Sequence, residues 1–463
     1  MADHASIYRS LSMWHDTLPV DDTLTPRPAL PGDIDVDIAI VGAGYTGLWT
    51  AHYLLEADPT LRIAIIEKDI AGFGASGRNG GWASAILPMS IGTIAKDHGL
   101  DAAIRMQHEM YNTVNEVGLA SAALGIDCHY AKGGNIEFAR NPAQLARMQA
   151  DVGAAHADGF TDMRWLEPSE ANEIGTATSV LGAAFSPHCA AIHPARLARG
   201  LARSVETRGA RLYEGTTVSS IESKQVVTDR GTVQAEIVVR ATEGFTPSLR
   251  GHKRTIVPLY SLMIATEPLA DDVWAEIGLT TRPTFNDGRH MIIYGQRTED
   301  GRFAFGGRGA PYHFASAVQP EFDREPAVHD MLHDTLVDLF PAIRDARITH
   351  RWGGPLGVPR DWFCGVGLDR ATGMAWAGGY VGDGVTTTNL AGRTLADLIV
   401  GNDSDITTLP WVGHRSRNWE PEPIRWLSIQ AALRLPSGID EYEEQHAKPE
   451  RLRSWALGKL TAH

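Results

Sequence analysis

The chain has 463 residues, 43% hydrophobic and 21% charged, enough for a large core and for two interwoven domains rather than one. Its 56 acidic residues outnumber its 42 lysines and arginines, and the net charge of −14 excludes nucleic acid and other polyanions as partners by Coulomb repulsion, leaving small neutral or cationic ligands favoured. The N-terminal MADHASIYRSLSMWHD has no basic segment leading into an apolar one, and no run of about 18 apolar residues occurs, which predicts a cytoplasmic protein with no membrane partner. Cys128, Cys189 and Cys364 form no CxxC pair and read as small buried apolar residues.

The first ordered pattern is a βαβ unit, with a strand predicted over 36–41, a helix over 46–57 and a second strand over 62–67. Between strand and helix, Gly42, Gly44 and Gly47 spell GxGxxG, with Tyr45 and Thr46 opening the helix. The first glycine permits the tight turn, the second lets a pyrophosphate approach the backbone, and the third lets helix and strand pack closely. The helix N-terminus offers the phosphates its unpaired N–H groups. Glu67 ends the second strand, followed by Lys68, about 20 residues past the last glycine, where a carboxylate can accept ribose hydroxyls. Next comes AGFGASGRNGG, five glycines within 71–81. Such bare backbone can run along an extended ligand and present consecutive N–H groups to it. The GxGxxG unit alone fits NAD(P) and FAD alike; a glycine loop in place of the next crossover favours FAD, with an NAD(P)-linked dehydrogenase as the alternative.

GAGYTGLWTAHYLL, EK and GASGRNGG resemble the FAD-dependent amine and amino-acid oxidoreductases of the D-amino-acid oxidase superfamily. That resemblance implies that Ala75, Ser76, Arg78, Asn79, Gly80 and Gly81 lie against the isoalloxazine ring. It also implies that Val218, in a two-strand segment over 209–223, meets the adenine. The resemblance places Ala241 and Gly244 in a turn beneath the ADP, although Glu243 interrupts the family's spelling there. Farther on, it implies that Gly379, Gly382, Gly384, Val385 and Thr386 belong to a strand, turn and helix whose N-terminus points at the flavin pyrimidine, its dipole stabilising negative charge on reduced flavin. The implied fold is α/β (α+β mixed). A Rossmann-like FAD-binding domain (34–88, 194–254 and 359–405) interleaves with a substrate-binding domain (89–193 and 255–358) built on a large mixed or antiparallel β-sheet. TIVPLYSLMIAT, HMIIYGQ and GRFAFGGRG supply strand patterns for that sheet, and a helix over 327–340 covers its outer face. Residues 406–463 form a C-terminal helical extension whose apolar spacing fits packing on the body or on another subunit, so an oligomer through this extension is an available partner state.

A flavin needs little from its protein to take a hydride from an amine-bearing carbon: the C–H must face N5, the nitrogen must be neutral and water must be excluded. Neither a Ser/His/Asp triad nor a metal is required, and His188, His193, His329 and His333 read as structural histidines rather than ligands. Relative to the resembled family, Leu356 stands where amino-acid oxidases place an arginine that clamps the substrate carboxylate, which favours amines over α-amino acids. Arg308 and Arg360 are candidate replacements. Gly354 falls where sarcosine oxidases carry the cysteine that binds flavin covalently, so FAD is expected to be non-covalent. GRFAFGGRG lacks the lysine that those enzymes place near N5, which leaves O2 or another electron acceptor open. Tyr294, Arg308 and His290, on the expected roof strands, are the candidate catalytic residues, with Trp362 as a wall. The expected function is FAD-dependent oxidation of a small-molecule amine, primary or secondary and including polyamine-like amines, to an imine that hydrolyses. The alternative from another class is a non-catalytic flavin-binding subunit of a larger dehydrogenase.

Overall fold

The computed structural model describes residues 4–461; the first three residues of the N-terminal stretch and the last two of the 406–463 extension lie outside the described residues. Two eight-stranded sheets organise the molecule. The first has the strand order Gly365–Asp369, Met374–Gly378, Gly231–Arg240, Ile34–Val41, Ile63–Ile66, Arg211–Tyr213, with Gln225–Thr228 pairing on Gly231–Arg240 and Val218–Glu222 beyond it. Ile34–Val41 lies between parallel neighbours on both sides. Its residues 38–41 are therefore buried on both faces and read as one continuous apolar run. The strands extend or fall short of the expected βαβ bounds by a residue or two, and the helix runs Tyr45–Ala57.

That helix is buried over Tyr45–Leu55 because it is sandwiched between the sheet and the helix Gly384–Val400. The two helices approach so closely that a Cβ on Gly392 would lie 2.7 Å from the Cβ of Trp49. Their contact brings the two glycine turns that precede them to the same end of the sheet, past the C-termini of the parallel strands Ile34–Val41 and Met374–Gly378.

The second sheet has the order Ile348–Val358, Val257–Thr266, Phe303–Gly307, Ile293–Arg297, Thr284–Asp287, Asn135–Ala139, Gly182–Ser186, Arg164–Leu166. It is antiparallel except where Thr284–Asp287 pairs parallel with Asn135–Ala139. Val257–Thr266 pairs along its whole length with Ile348–Val358. The helix Pro326–Leu339 buries Val328, Leu332, Leu336 and Leu339 in the core that this sheet shares with Phe285, Phe303 and Phe305. The helix Leu100–Ala123 falls in the 89–193 segment, yet its Met106, Met110, Val114 and Val117 pack in the core with Leu48 and Leu54 of the first sheet's helix. The 89–193 segment thus divides between the two cores, because an amphipathic helix follows whichever apolar face is nearest and not the strands that succeed it in sequence.

The extension forms the helices Ile424–Leu433, Leu435–His446 and Arg451–Thr461, with Ile429 and Ile439 buried against the body. Among the described residues, no helix is long and apolar enough to cross a membrane.

Candidate active site

The GxGxxG turn closes on itself at two of its glycines. Gly42 has φ of +107°, and a Cβ on it would lie 2.5 Å from the Ala241 carbonyl oxygen; a Cβ on Gly47 would lie 2.1 Å from the Gly42 oxygen. At Gly44, which caps the helix Tyr45–Ala57, the only atoms that a Cβ would approach belong to the Ser76 side chain, with Oγ at 2.9 Å. Ser76 Oγ accepts from Tyr45 N at 2.8 Å, and Thr46 Oγ1 meets the Tyr380 hydroxyl at 3.0 Å. Glu67 accepts from Ala43 N at 2.9 Å and Asp69 N at 3.0 Å, and burial pushes its carboxyl up to about 7 despite those bonds. Lys68 is exposed. A glycine turn opening a helix N-terminus whose first N–H is taken by Ser76, with an acid at the end of the adjoining strand, fits the diphosphate and ribose of an ADP-bearing cofactor.

The loop 71–81 rests two of its glycines against the second sheet. A Cβ on Gly80 would lie 2.7 Å from the Tyr294 ring, and one on Gly81 would lie 2.0 Å from Gln296 Nε2. Gln296 donates to the Gly80 and Gly81 carbonyls at 2.8 and 3.0 Å. These two glycines let the loop press onto the second sheet, so here the bare backbone makes room for protein. Asn79 braces the loop: its side-chain amide donates to the Ala75 and Ser76 carbonyls and accepts from Gly81 N. Arg78 is buried, paired with Asp323 at 2.5 Å and lying over the Phe73 ring. A Cβ on Gly354 would come within 3.5 Å of its guanidinium, so the position expected for a covalent cysteine faces this cation. From behind, Trp14 Nε1 donates to the Asn79 carbonyl and His15 packs on Gly77. No pattern in the short helix Met13–Asp16, which carries both residues, names such a distant partner.

Val218 opens the strand Val218–Glu222. Ala241 N donates to the Val41 carbonyl, and Gly244 lies against the Pro355 carbonyl. Gly379 and Gly382 take left-handed backbone before the helix Gly384–Val400, whose Val385 and Thr386 are buried. Thr386 Oγ1 is buried without a hydrogen-bond partner, the condition that a bound polar group relieves.

Beside that helix N-terminus the structure brings together Tyr294, Arg308, Leu356 and Asp383. The Tyr294 hydroxyl meets Ser261 Oγ at 2.7 Å, and Ser261 also donates to the Gly307 carbonyl. Arg308 Nη2 donates to the Val381 carbonyl at 2.9 Å, and its guanidinium lies over the Trp362 ring at 5.6 Å. A Cβ on Gly382 would sit 3.4 Å from Leu356 Cδ1 and 3.9 Å from Arg308 Nη2, so Arg308 shares the wall with Leu356. A cation, the candidate replacement Arg308, therefore lies beside Leu356. Burial pushes Asp383 up to about 7, with Arg308 pulling it back, while burial lowers Arg308 and Asp383 raises it. Asp383 was missed in the sequence, although an aspartate directly before a helical run is a readable N-cap signal.

His290 is not in this group. It precedes the strand Ile293–Arg297, its Nε2 lies 3.5 Å from Glu443, and its backbone N donates to Asp440. His290, Asp440 and Glu443 place ligand atoms within 4.8 Å of one another. However, Asp440 is committed to two backbone N–H groups and Glu443 to Arg147, so the cluster serves as a latch for the extension. Arg360 pairs with Glu420 and stacks on Trp419. His188 pairs with Asp162, His193 caps the helix Pro194–Thr207, His329 bonds the Trp352 carbonyl, and His333 lies near Asp334. All three cysteines are free and buried, and burial pushes the Cys189 thiol up to about 12.

Comparison with known proteins bears on this arrangement. The family described as DAO, FAD dependent oxidoreductase, matches residues 37–398. The chain is 29% identical over 411 residues to gamma-glutamylputrescine oxidoreductase of Escherichia coli (strain K12), covering 87% of this chain and 90% of the relative. It is 24% identical over 380 residues to glycine oxidase of Bacillus licheniformis, covering 79% and 93%. The solved structure of glycine oxidase from Geobacillus kaustophilus superposes with a TM-score of 0.69 at 24% identity, covering 83% of this chain and 99% of that one; this likeness is one of fold.

Proposed function

The chain belongs to the DAO family of FAD dependent oxidoreductases, and from that premise we propose that it oxidises the C–N bond of a small amine, amino acids included, to an imine that water hydrolyses. Bound FAD, held without a covalent bond, would supply the hydride acceptor, with electrons passing on to O2 or another acceptor. The glycine cradle and Glu67 would hold the ADP part, and the N-terminus of Gly384–Val400 would face the ring. The observation that carries the reading is the convergence of Tyr294, Arg308 and Asp383 at that helix N-terminus.

In this reading each residue has a definite task. Asp383, whose carboxyl is pushed up to about 7, takes a proton from the substrate ammonium, since only the neutral nitrogen can lose a hydride from its neighbouring carbon. Arg308, fixed by the Val381 carbonyl and Trp362, orients an acidic group of the substrate. Tyr294, held by Ser261, closes the roof and excludes water. The test is product analysis on the purified yellow protein with a panel of amines and amino acids. A carbonyl product with ammonia or a smaller amine is expected, and acid precipitation should release the colour to the supernatant. Colour retained in the pellet would contradict non-covalent binding, and absence of carbonyl product across the panel would contradict amine oxidation.

A further inference from the structure

Glu243 has no task in the chemistry above, yet it lies at a junction of the fold. It opens the turn Glu243–Ser248 with φ of +38°, a left-handed conformation that a non-glycine residue keeps only when its surroundings hold it there. Its carboxylate is what is held. Oε1 accepts from Gly357 N at 3.2 Å and Tyr380 N at 3.3 Å, and Oε2 accepts from Gly379 N at 2.8 Å. Glycines line the slot: a Cβ on Gly357 would lie 2.7 Å from Oε1, and one on Gly378 2.8 Å from Oε2. Burial pushes this carboxyl up to about 7, while the three N–H groups and Arg240 draw it down. Arg240 itself bonds His252 Nδ1.

The three N–H groups belong to segments 114 to 137 residues away in sequence. One is the end of Ile348–Val358, next to Leu356 on the substrate wall. The other is the turn before Gly384–Val400, whose Val381 carbonyl anchors Arg308 and whose Tyr380 hydroxyl reaches Thr46 on the GxGxxG helix. We propose that Glu243 is a positioning residue for the cofactor: its carboxylate ties the turn 378–381 to Gly357 and so fixes the helix N-terminus and the wall against which the flavin lies. This rests on the reading that the cleft binds FAD.

The experiment removes the carboxylate and returns it as a small molecule. Glycine suits the left-handed backbone at this position, so Glu243→Gly leaves an empty carboxylate-sized slot with three N–H donors. The FAD Kd of its apoprotein, read by flavin fluorescence, should weaken by about tenfold or more, and formate should restore it to within about threefold of native, while chloride at equal ionic strength should not. A purely structural role would lower the thermal midpoint without a formate-specific recovery of FAD binding. A native Kd in Glu243→Gly, or a weakened Kd indifferent to formate, overturns the proposal. Should Glu243→Gly fail to fold, Glu243→Gln places an amide N–H2 against one of the N–H donors and should release FAD at least about threefold faster; an unchanged release rate overturns the proposal equally. Failure of the native protein to bind FAD would instead strike the functional reading.

Discussion

At the scale of single residues, the role proposed for Arg308 is to select which substrates the cleft accepts. Its guanidinium has one anchor, the Val381 carbonyl, and an aromatic face at Trp362, so its remaining donors are available to an anion. Arg308→Met keeps the bulk and removes the charge. It should lower kcat/KM for an α-amino acid by about 100-fold, and for the matching amine lacking the carboxylate by less than about threefold, because only the former leaves a buried carboxylate unpaired. Steady-state kinetics on the pair checks this, and equal losses on both would show that Arg308 only props the turn. Tyr294 and Arg308 were legible in the sequence because strand patterns HMIIYGQ and GRFAFGGRG bracket them. His290 has the same alternation phase as Tyr294, yet the strand starts only at Ile293, and Asp440, 150 residues away, captures the His290 backbone. No local pattern encodes such a partner. Glu243 was visible only as an interruption of a family spelling, and its three acceptor bonds come from chain segments that only folding brings near.

At the scale of elements, the βαβ unit was readable within a residue or two, since apolar periodicity and the glycine spacing fix strand, turn and helix locally. Its second glycine carries a direct prediction. Gly44→Val would place a branched side chain against Ser76 and across the open side of the helix N-terminus. The variant should fold with a thermal midpoint near native and lose FAD on gel filtration; full flavin occupancy in a folded variant would contradict the placement of the diphosphate. The loop 71–81 was legible as bare backbone, though not its close approach to Tyr294 and Gln296. A glycine that admits a ligand and a glycine that admits Tyr294 or Gln296 look alike in sequence, because the absent Cβ says only that something is close. Likewise, the apolar face of Leu100–Ala123 does not itself say which of the two cores receives it.

At the scale of the whole molecule, two sheets meet along the loop 71–81 and the turns beside Glu243, and several half-buried acids lie in or near that seam. Glu67, Glu243 and Asp383 are each pushed up to about 7 by burial, and so is Glu137 in the second sheet. A native carboxyl with a raised pKa holds its proton where the unfolded chain has lost it. The stability it contributes is complete below the unfolded value of 4.5 for glutamate or 3.8 for aspartate and is lost as pH rises through about 7. The thermal midpoint of the apoprotein should therefore fall between about pH 5.5 and about pH 8, and Glu137→Gln, remote from the cleft, should make the slope shallower. A midpoint that rises over that window would contradict the burial assigned to these groups. Anaerobic mixing of the purified protein with amines and amino acids in a stopped-flow spectrophotometer is the sharpest test of the proposed flavin-dependent amine oxidation. Visible flavin absorbance should bleach at a saturable rate with at least one such substrate; a flavin that stays oxidised with all of them, or a protein that holds no flavin, would contradict the proposed function.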